Sequence, residues 1–220
     1  MTTDIDRALA KMSALGIIEP EARPQAVRDL EVAQARSLEG IEQCTSLESL
    51  RILGCSIADY SPLARLGALR LLTVENCDLA DTAWAAGLQL KVAVLRRNRV
   101  RDGRPVVTIS TLHVLDLSGN PLDHQSREAA VAHAGSRLLT LDDEETAELN
   151  VLLADARTGI VSYRSGDSLW ACATGLDLVP HPEAGHVLTS PEELRDMARG
   201  NISPGEFLGL DASNNMGGGR

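Results

Sequence analysis

The chain's pattern predicts an α/β solenoid with an N-terminal helical cap and a small C-terminal α+β appendage. Three observations lead there. Four windows repeat one apolar pattern at nearly fixed spacing: LESLRILGC (47–55), LRLLTVENC (69–77), LKVAVLRRN (90–98) and LHVLDLSGN (112–120). Within each window apolar and variable residues alternate, as on a strand with one buried face. Beyond residue 148 the pattern stops, and a different mix of strand and helix signals replaces it.

Stacked, the windows read Leu-x-x-Leu-x-Leu-x-x-Asn/Cys. Leu47, Leu69, Leu90 and Leu112 begin them, and Leu50, Leu72, Ala93 and Leu115 follow. Ile52, Val74, Leu95 and Leu117 come next, and Cys55, Cys77, Asn98 and Asn120 close them. The closing residues are 22, 21 and 22 positions apart. Eight and eleven residues further on, Leu63 and Leu66, Ala85 and Leu88, and Val106 and Ile109 supply a second apolar pair in each unit. One coil cannot bury such a set alone; stacking coils can. The pattern resembles the leucine-rich repeat family, in its short internalin-like form of about 22 residues. That resemblance covers a little over half the chain. It implies a leucine-rich-repeat solenoid with a concave parallel sheet, a closing Asn that bonds backbone where the chain leaves each strand, and a role in binding other proteins.

The repeat extends in both directions. Upstream, Val27, Leu30, Val32 and Ala35 keep the offsets, with Ile41 and Cys44 as a shortened second half. Downstream, Leu139 and Leu141 fit the paired positions of a sixth strand. The array is therefore expected over 27–148. In residues 1–26, Ile5, Leu9 and Met12 share one helical face, suited to closing the open end of the core. The appendage is expected over 149–211. There, IVSY and SLWACA read as strands joined by a turn at Arg164–Asp167, with Gly166 tolerating positive φ. Ser190, Pro191 and Glu193 mark a helix start with a capping box, and Gly200 marks its end. The Gly-rich segment 212–220 lacks the apolar content to order itself.

Composition narrows the function. A net charge of −10 opposes binding nucleic acid or anionic lipid through a global field, and 2% aromatics is too few for base stacking. No apolar run reaches the length of a membrane span. The acidic N-terminus lacks a signal-peptide core, so a cytoplasmic protein is expected. Cys44, Cys55 and Cys77 occupy repeat positions and read as buried structural thiols. Cys172 lies outside the array, with His181 and His186 as the nearest candidate bases. One Cys and two His at arbitrary spacing do not make a nucleophilic or metal site. No catalytic residue, metal ligand or cofactor is expected.

Outward strand positions form columns. The middle column reads Glu31, Arg51, Thr73, Val94, Asp116 and Thr140, and the column after it Ala33, Leu53, Glu75, Arg96, Ser118 and Asp142. The candidate partner-binding residues are Glu31, Arg51, Leu53, Thr73, Glu75, Val94, Arg96, Asp116 and Ser118. Arg51, Glu75 and Arg96 could instead pair across strands. The column before them reads Asp29, Ser49, Leu71, Val92, Val114 and Leu138; its last four members form an apolar stripe that calls for a cover. Residues 149–210, which are local and carry apolar runs, are expected to fold back over it. The leading functional reading is a non-catalytic protein-interaction module whose partner is another protein. Two alternatives are a folded carrier whose Gly-rich tail is processed or modified, and Cys/His chemistry in the appendage.

Overall fold

The computed structural model describes residues 2–19 and 23–210; the tail expected over 212–220 lies outside the described residues. The fold is a leucine-rich-repeat solenoid. Helix α1 (Asp4–Ala14) opens it. Thr3 caps this helix in a capping box with Asp6, and Ile5, Ala8 and Met12 are buried while Leu9 packs at the margin of the core.

Six parallel strands follow in sequence order: β1 (Asp29–Ala33), β2 (Ser49–Leu53), β3 (Leu71–Glu75), β4 (Val92–Val94), β5 (Val114–Asp116) and β6 (Leu138–Thr140). Their register aligns the columns read from the sequence. Leu30, Leu50, Leu72, Ala93, Leu115 and Leu139 are successive partners, and so are Glu31, Arg51, Thr73, Val94, Asp116 and Thr140. The return segments change along the array. The early coils use 3₁₀ turns at Ile41–Gln43, Ser61–Arg65 and Ala83–Gly87; later ones use the short helix α2 (Arg104–Val107) and then α3 (His124–Ala132), capped by Asp123. Their apolar residues Leu63, Leu66, Ala85, Leu88, Val106 and Ile109 are all buried against the strand leucines in one continuous core.

The closing column carries a hydrogen-bond ladder. Asn98 accepts from the Cys77 N–H at 3.1 Å and donates to the carbonyls of Val74, Leu95 and Arg96. Asn120 accepts from Val100 N and donates to Leu95, Leu117 and Ser118. The two cysteines do the same work with sulfur. Cys77 Sγ accepts from Cys55 N at 3.2 Å, and Cys55 Sγ accepts from Ala35 N at 3.2 Å. Each thiol also lies within bonding distance of carbonyls, Ile52 and Glu75 for Cys77, Val32 and Leu53 for Cys55. Burial raises the Cys77 thiol, keeping it protonated as a donor. Just before each closing residue the backbone turns left-handed, at Gln34, Gly54, Asn76, Arg97 and Gly119. Gly54, Asn76 and Gly119 are residue types that tolerate this; Gln34 and Arg97 are held there by the repeat.

After β6 the chain enters α4 (Glu144–Asp155), capped by Asp143, so the position expected to end the array, 148, falls inside a helix. The hairpin β7 (Ile160–Ser165) and β8 (Ser168–Ala173) turns through Gly166, whose φ is +60°; β9 (His186–Leu188) adds to β8 antiparallel. Helix α5 (Pro191–Ala198) has the expected capping box of Ser190 and Glu193, and α6 (Pro204–Phe207) follows. A second core, including Leu149, Leu153, Ile160, Ala171, Leu194 and Met197, holds these elements together.

Candidate functional site

The appendage does not cover the apolar stripe. Leu71 is 44% exposed and Leu138 66% exposed. It docks along the opposite side of the sheet, where the chain leaves the strands. Asn76 O accepts from Gly175 N at 3.0 Å, and Ser56 Oγ accepts from Leu176 N at 2.6 Å. Arg99 donates to Thr174 Oγ1 at 2.8 Å and pairs with Asp78 at 2.9 Å. Gln34 reaches His181, Arg97 lies over the Tyr163 ring at 4.9 Å, and Arg101 pairs with Asp155. Gly175 has φ +66°, and a Cβ there would collide with the Asp78 carboxylate. The physical reason for the difference is polar rather than apolar: the left-handed turns project backbone carbonyls and long side chains, and the 174–186 segment supplies their partners. The stripe offers no such bonds.

This docking leaves the outward columns of the sheet accessible. Arg51 pairs with Glu31 at 3.1 Å, while Arg96 pairs with Glu75 at 2.9 Å. Glu75 also meets Arg97, which ties the column's far side to the appendage through Tyr163. Asp116 accepts from Ser118 N and Oγ at 3.0 and 2.6 Å. Thr73 and Val94 stand between Arg51 and Asp116 in register, and Leu53 opposes Glu75. Seven of the nine candidate residues lie at outward strand positions; Arg96 and Ser118 follow the ends of β4 and β5. Of the cross-strand pairing considered from the sequence, Glu75–Arg96 is present, whereas Arg51 pairs with Glu31 instead. The exposed Arg51–Glu31 pair contributes only about 0–1 kcal/mol to stability, whereas the Glu75 side chain is largely buried beneath Arg96.

The Cys/His candidates are arranged differently. Cys172 and His186 face each other across β8 and β9. Yet Cys172 Sγ donates to Asn76 Oδ1, 3.7 Å away, and the same oxygen accepts from Arg97 Nε at 2.7 Å. Asn76 Nδ2 therefore points at His186 Nε2, 3.5 Å away, and His186 Nδ1 bonds the Tyr163 hydroxyl at 2.6 Å. This network assigns a neutral imidazole with its proton on Nδ1. Burial and the Arg97 charge lower the His186 pKa, which fits that assignment. Burial pushes the Cys172 thiol up to about 12. A nucleophilic cysteine needs the reverse, an exposed thiol beside a base that lowers its pKa. His181 lies apart, exposed beside Gln34 and Glu183. The cluster joins array to appendage: Asn76 and Arg97 belong to one, Cys172, Tyr163 and His186 to the other. The sequence signals for it were the left-handed-prone Asn76 and Gly175, which periodicity alone does not single out.

No family model matches the chain, and no curated protein matches it. Among solved structures it is similar to an internalin (inlF) from Listeria monocytogenes, with 17% identity and a TM-score of 0.31 over 69% of each chain. It is also similar to internalin C2 (inlC2) of the same organism, with 14% identity and a TM-score of 0.29 over 63% of this chain and 92% of that one. The fold rests on strand register and the closing-column ladder, not on these likenesses.

Proposed function

We propose that the protein is a non-catalytic interaction module that holds another protein on the concave face of its array. The observation that carries this reading is the accessible, registered set of outward columns from Glu31 to Ser118, which the appendage borders without covering. Their mixture of paired charges, small polar groups and isolated apolar residues suits a specific interface, which joins an apolar centre to a polar rim. The reading needs no chemistry from Cys172, whose buried, protonated thiol suits packing. Residence in the cytoplasm is part of the proposal, supported by four free cysteines among the described residues, as expected where thiols stay reduced.

Hydroxyl-radical footprinting tests it, comparing the full chain alone and with the partner recovered by affinity capture from native lysate. Protection at Leu53, Val94 and Arg96 supports the concave face. Protection confined to Pro62, Ala86 and Pro105 on the return segments would place the interface on the other side and overturn the reading.

A further inference from the structure

Beside the uncovered stripe runs a second periodic row. Each stripe residue in coils three to six follows a basic residue: Arg70 precedes Leu71, Lys91 precedes Val92, His113 precedes Val114 and Arg137 precedes Leu138. Coils one and two lack the apolar residue, and the basic residue of the row that they do carry is paired. There Arg28 precedes Asp29 and Glu48 precedes Ser49, and Arg28 pairs with Glu48 at 2.9 Å. Among the described residues, none of Arg70, Lys91, His113 and Arg137 forms an ion pair with a carboxylate. Arg70 donates to the carbonyls of Gly67 and Leu69, and Arg137 to those of Val107 and Ile109, which fixes their guanidinium groups without cancelling the charge. His113 Nδ1 lies 2.8 Å from Thr111 O, and Lys91 is exposed. In a chain of net charge −10, an apolar stripe and an uncompensated basic row that start and stop at the same coils are features of one surface.

The spacing selects the occupant's shape. Adjacent strands lie about 4.8 Å apart, so four of them place four side chains along about 14 Å. A helix laid across the strands offers one side chain per turn of about 5.4 Å, or about 16 Å over three turns. An extended segment offers same-face side chains about 6.7 Å apart, or about 20 Å over three steps, and falls out of register by more than a strand. The charge selects the flank. On the other side of the stripe the middle column carries Thr73, Val94, Asp116 and Thr140, so the cations Arg70, Lys91 and Arg137 line only the strand-entry side. Long-range repulsion from the acidic remainder is screened over about 8 Å at physiological salt, within which the basic row dominates.

Resting on the reading that this face binds protein, we propose that Leu71, Val92, Val114 and Leu138, with Arg70, Lys91, His113 and Arg137 beside them, dock an amphipathic helix of the partner. That helix is about three turns long, with apolar residues at i, i+4, i+7 and i+11 and carboxylates along one flank. A flat lipid surface fits less well, because the stripe lies on the concave side of the array.

The test uses a phage-displayed library of stable helices with randomised surface positions, selected against the full chain. The expected result is enrichment of helices with that apolar spacing and Asp or Glu on one flank. They should bind at least tenfold more weakly to Leu71→Ser/Leu138→Ser and to Lys91→Glu, both checked by thermal melts. Enriched helices without an acidic flank, equal binding to those variants, or no enrichment over an empty support would each overturn the proposal. So would stripe-dependent co-sedimentation with anionic vesicles. Helices that tolerate Leu71→Ser/Leu138→Ser but lose binding to Arg51→Glu/Arg96→Glu would remove this site and leave the concave-face reading standing.

Discussion

Replacing Asn98 separates two roles of the closing column, filling space and bonding backbone. The side chain is fully buried; its oxygen accepts one backbone N–H and its two N–H groups donate to three carbonyls, one N–H being shared. Asn98→Ala leaves the Cys77 N–H and several strand-exit carbonyls without that partner. At a net worth of about 1 kcal/mol for the acceptor and for each of the two N–H donors, the loss is about 3 kcal/mol. Asn98→Cys tests whether sulfur substitutes, as Cys55 and Cys77 already do in this column. It keeps an acceptor for the Cys77 N–H and one S–H donor, so about 1 kcal/mol should be lost. For a chain of this size about 1 kcal/mol shifts Tm by about 2–4 °C, which puts the two variants roughly 4–8 °C apart. Urea unfolding followed by far-UV circular dichroism provides the midpoints, with Asn98→Ala expected to unfold at distinctly lower denaturant. If Asn98→Cys proves as unstable as Asn98→Ala, the thiols of the column are fillers and the ladder does not pass through sulfur.

Three further predictions concern stability and the buried groups. Leu95→Asp puts an unpaired carboxylate at a fully buried position between coils, and the whole array should lose its cooperative transition at least 10 °C earlier; melting at the wild-type temperature would show the column phase to be wrong. Burial holds the Asp142 carboxyl up at about 7, despite bonds from Gly119 N and Asn150 Nδ2. The ordinary value in an unfolded chain is about 3.9, so the native state retains a proton that the unfolded chain has released, and stability falls as pH rises from about 4 to about 7. Asp142→Asn should raise Tm relative to wild type at pH 8 and leave the two equal near pH 4; a gap of the same size at both pH values would contradict the shift. Cys172, buried and held near 12, should react with iodoacetamide at pH 7.5 only as fast as the protein unfolds; rapid labelling of the native chain would show an accessible thiolate.

Much of the array was legible because its signal is local and periodic. Leu50, Leu72, Ala93 and Leu115 recur at fixed intervals, so their phase fixes both the buried face and the outward columns. The Ser190–Glu193 capping box and the Gly166 turn were legible for the same reason: partners lie within three or four residues. The docking of the appendage was not. Its bonds join Arg99 to Thr174, Ser56 to Leu176 and Gln34 to His181, across 75, 120 and 147 residues, and no spacing rule links them. Apolar content pointed 149–210 at the Leu71–Leu138 stripe, whereas hydrogen-bonding demand at the left-handed turns decided the outcome. Gln34 and Arg97 hid those turns, since neither residue type advertises positive φ. For the candidate site, the period placed Arg51 at an outward strand position and offered Glu75 as a partner for Arg96, but it did not pick out Glu31 as the partner of Arg51.

The most direct measurement is the affinity of Arg51→Glu/Arg96→Glu for the partner, by isothermal calorimetry, beside a return-segment control, Arg65→Glu. Arg51 sits at an outward strand position and Arg96 just past the end of β4, 57% and 41% exposed at the side chain, so reversal should leave the circular dichroism spectrum unchanged. If the partner lies on this face, the double variant should bind at least tenfold more weakly, the control should match wild type, and the loss should shrink at high salt. An unchanged affinity in the double variant, or a loss confined to Arg65→Glu, would contradict binding through the concave sheet.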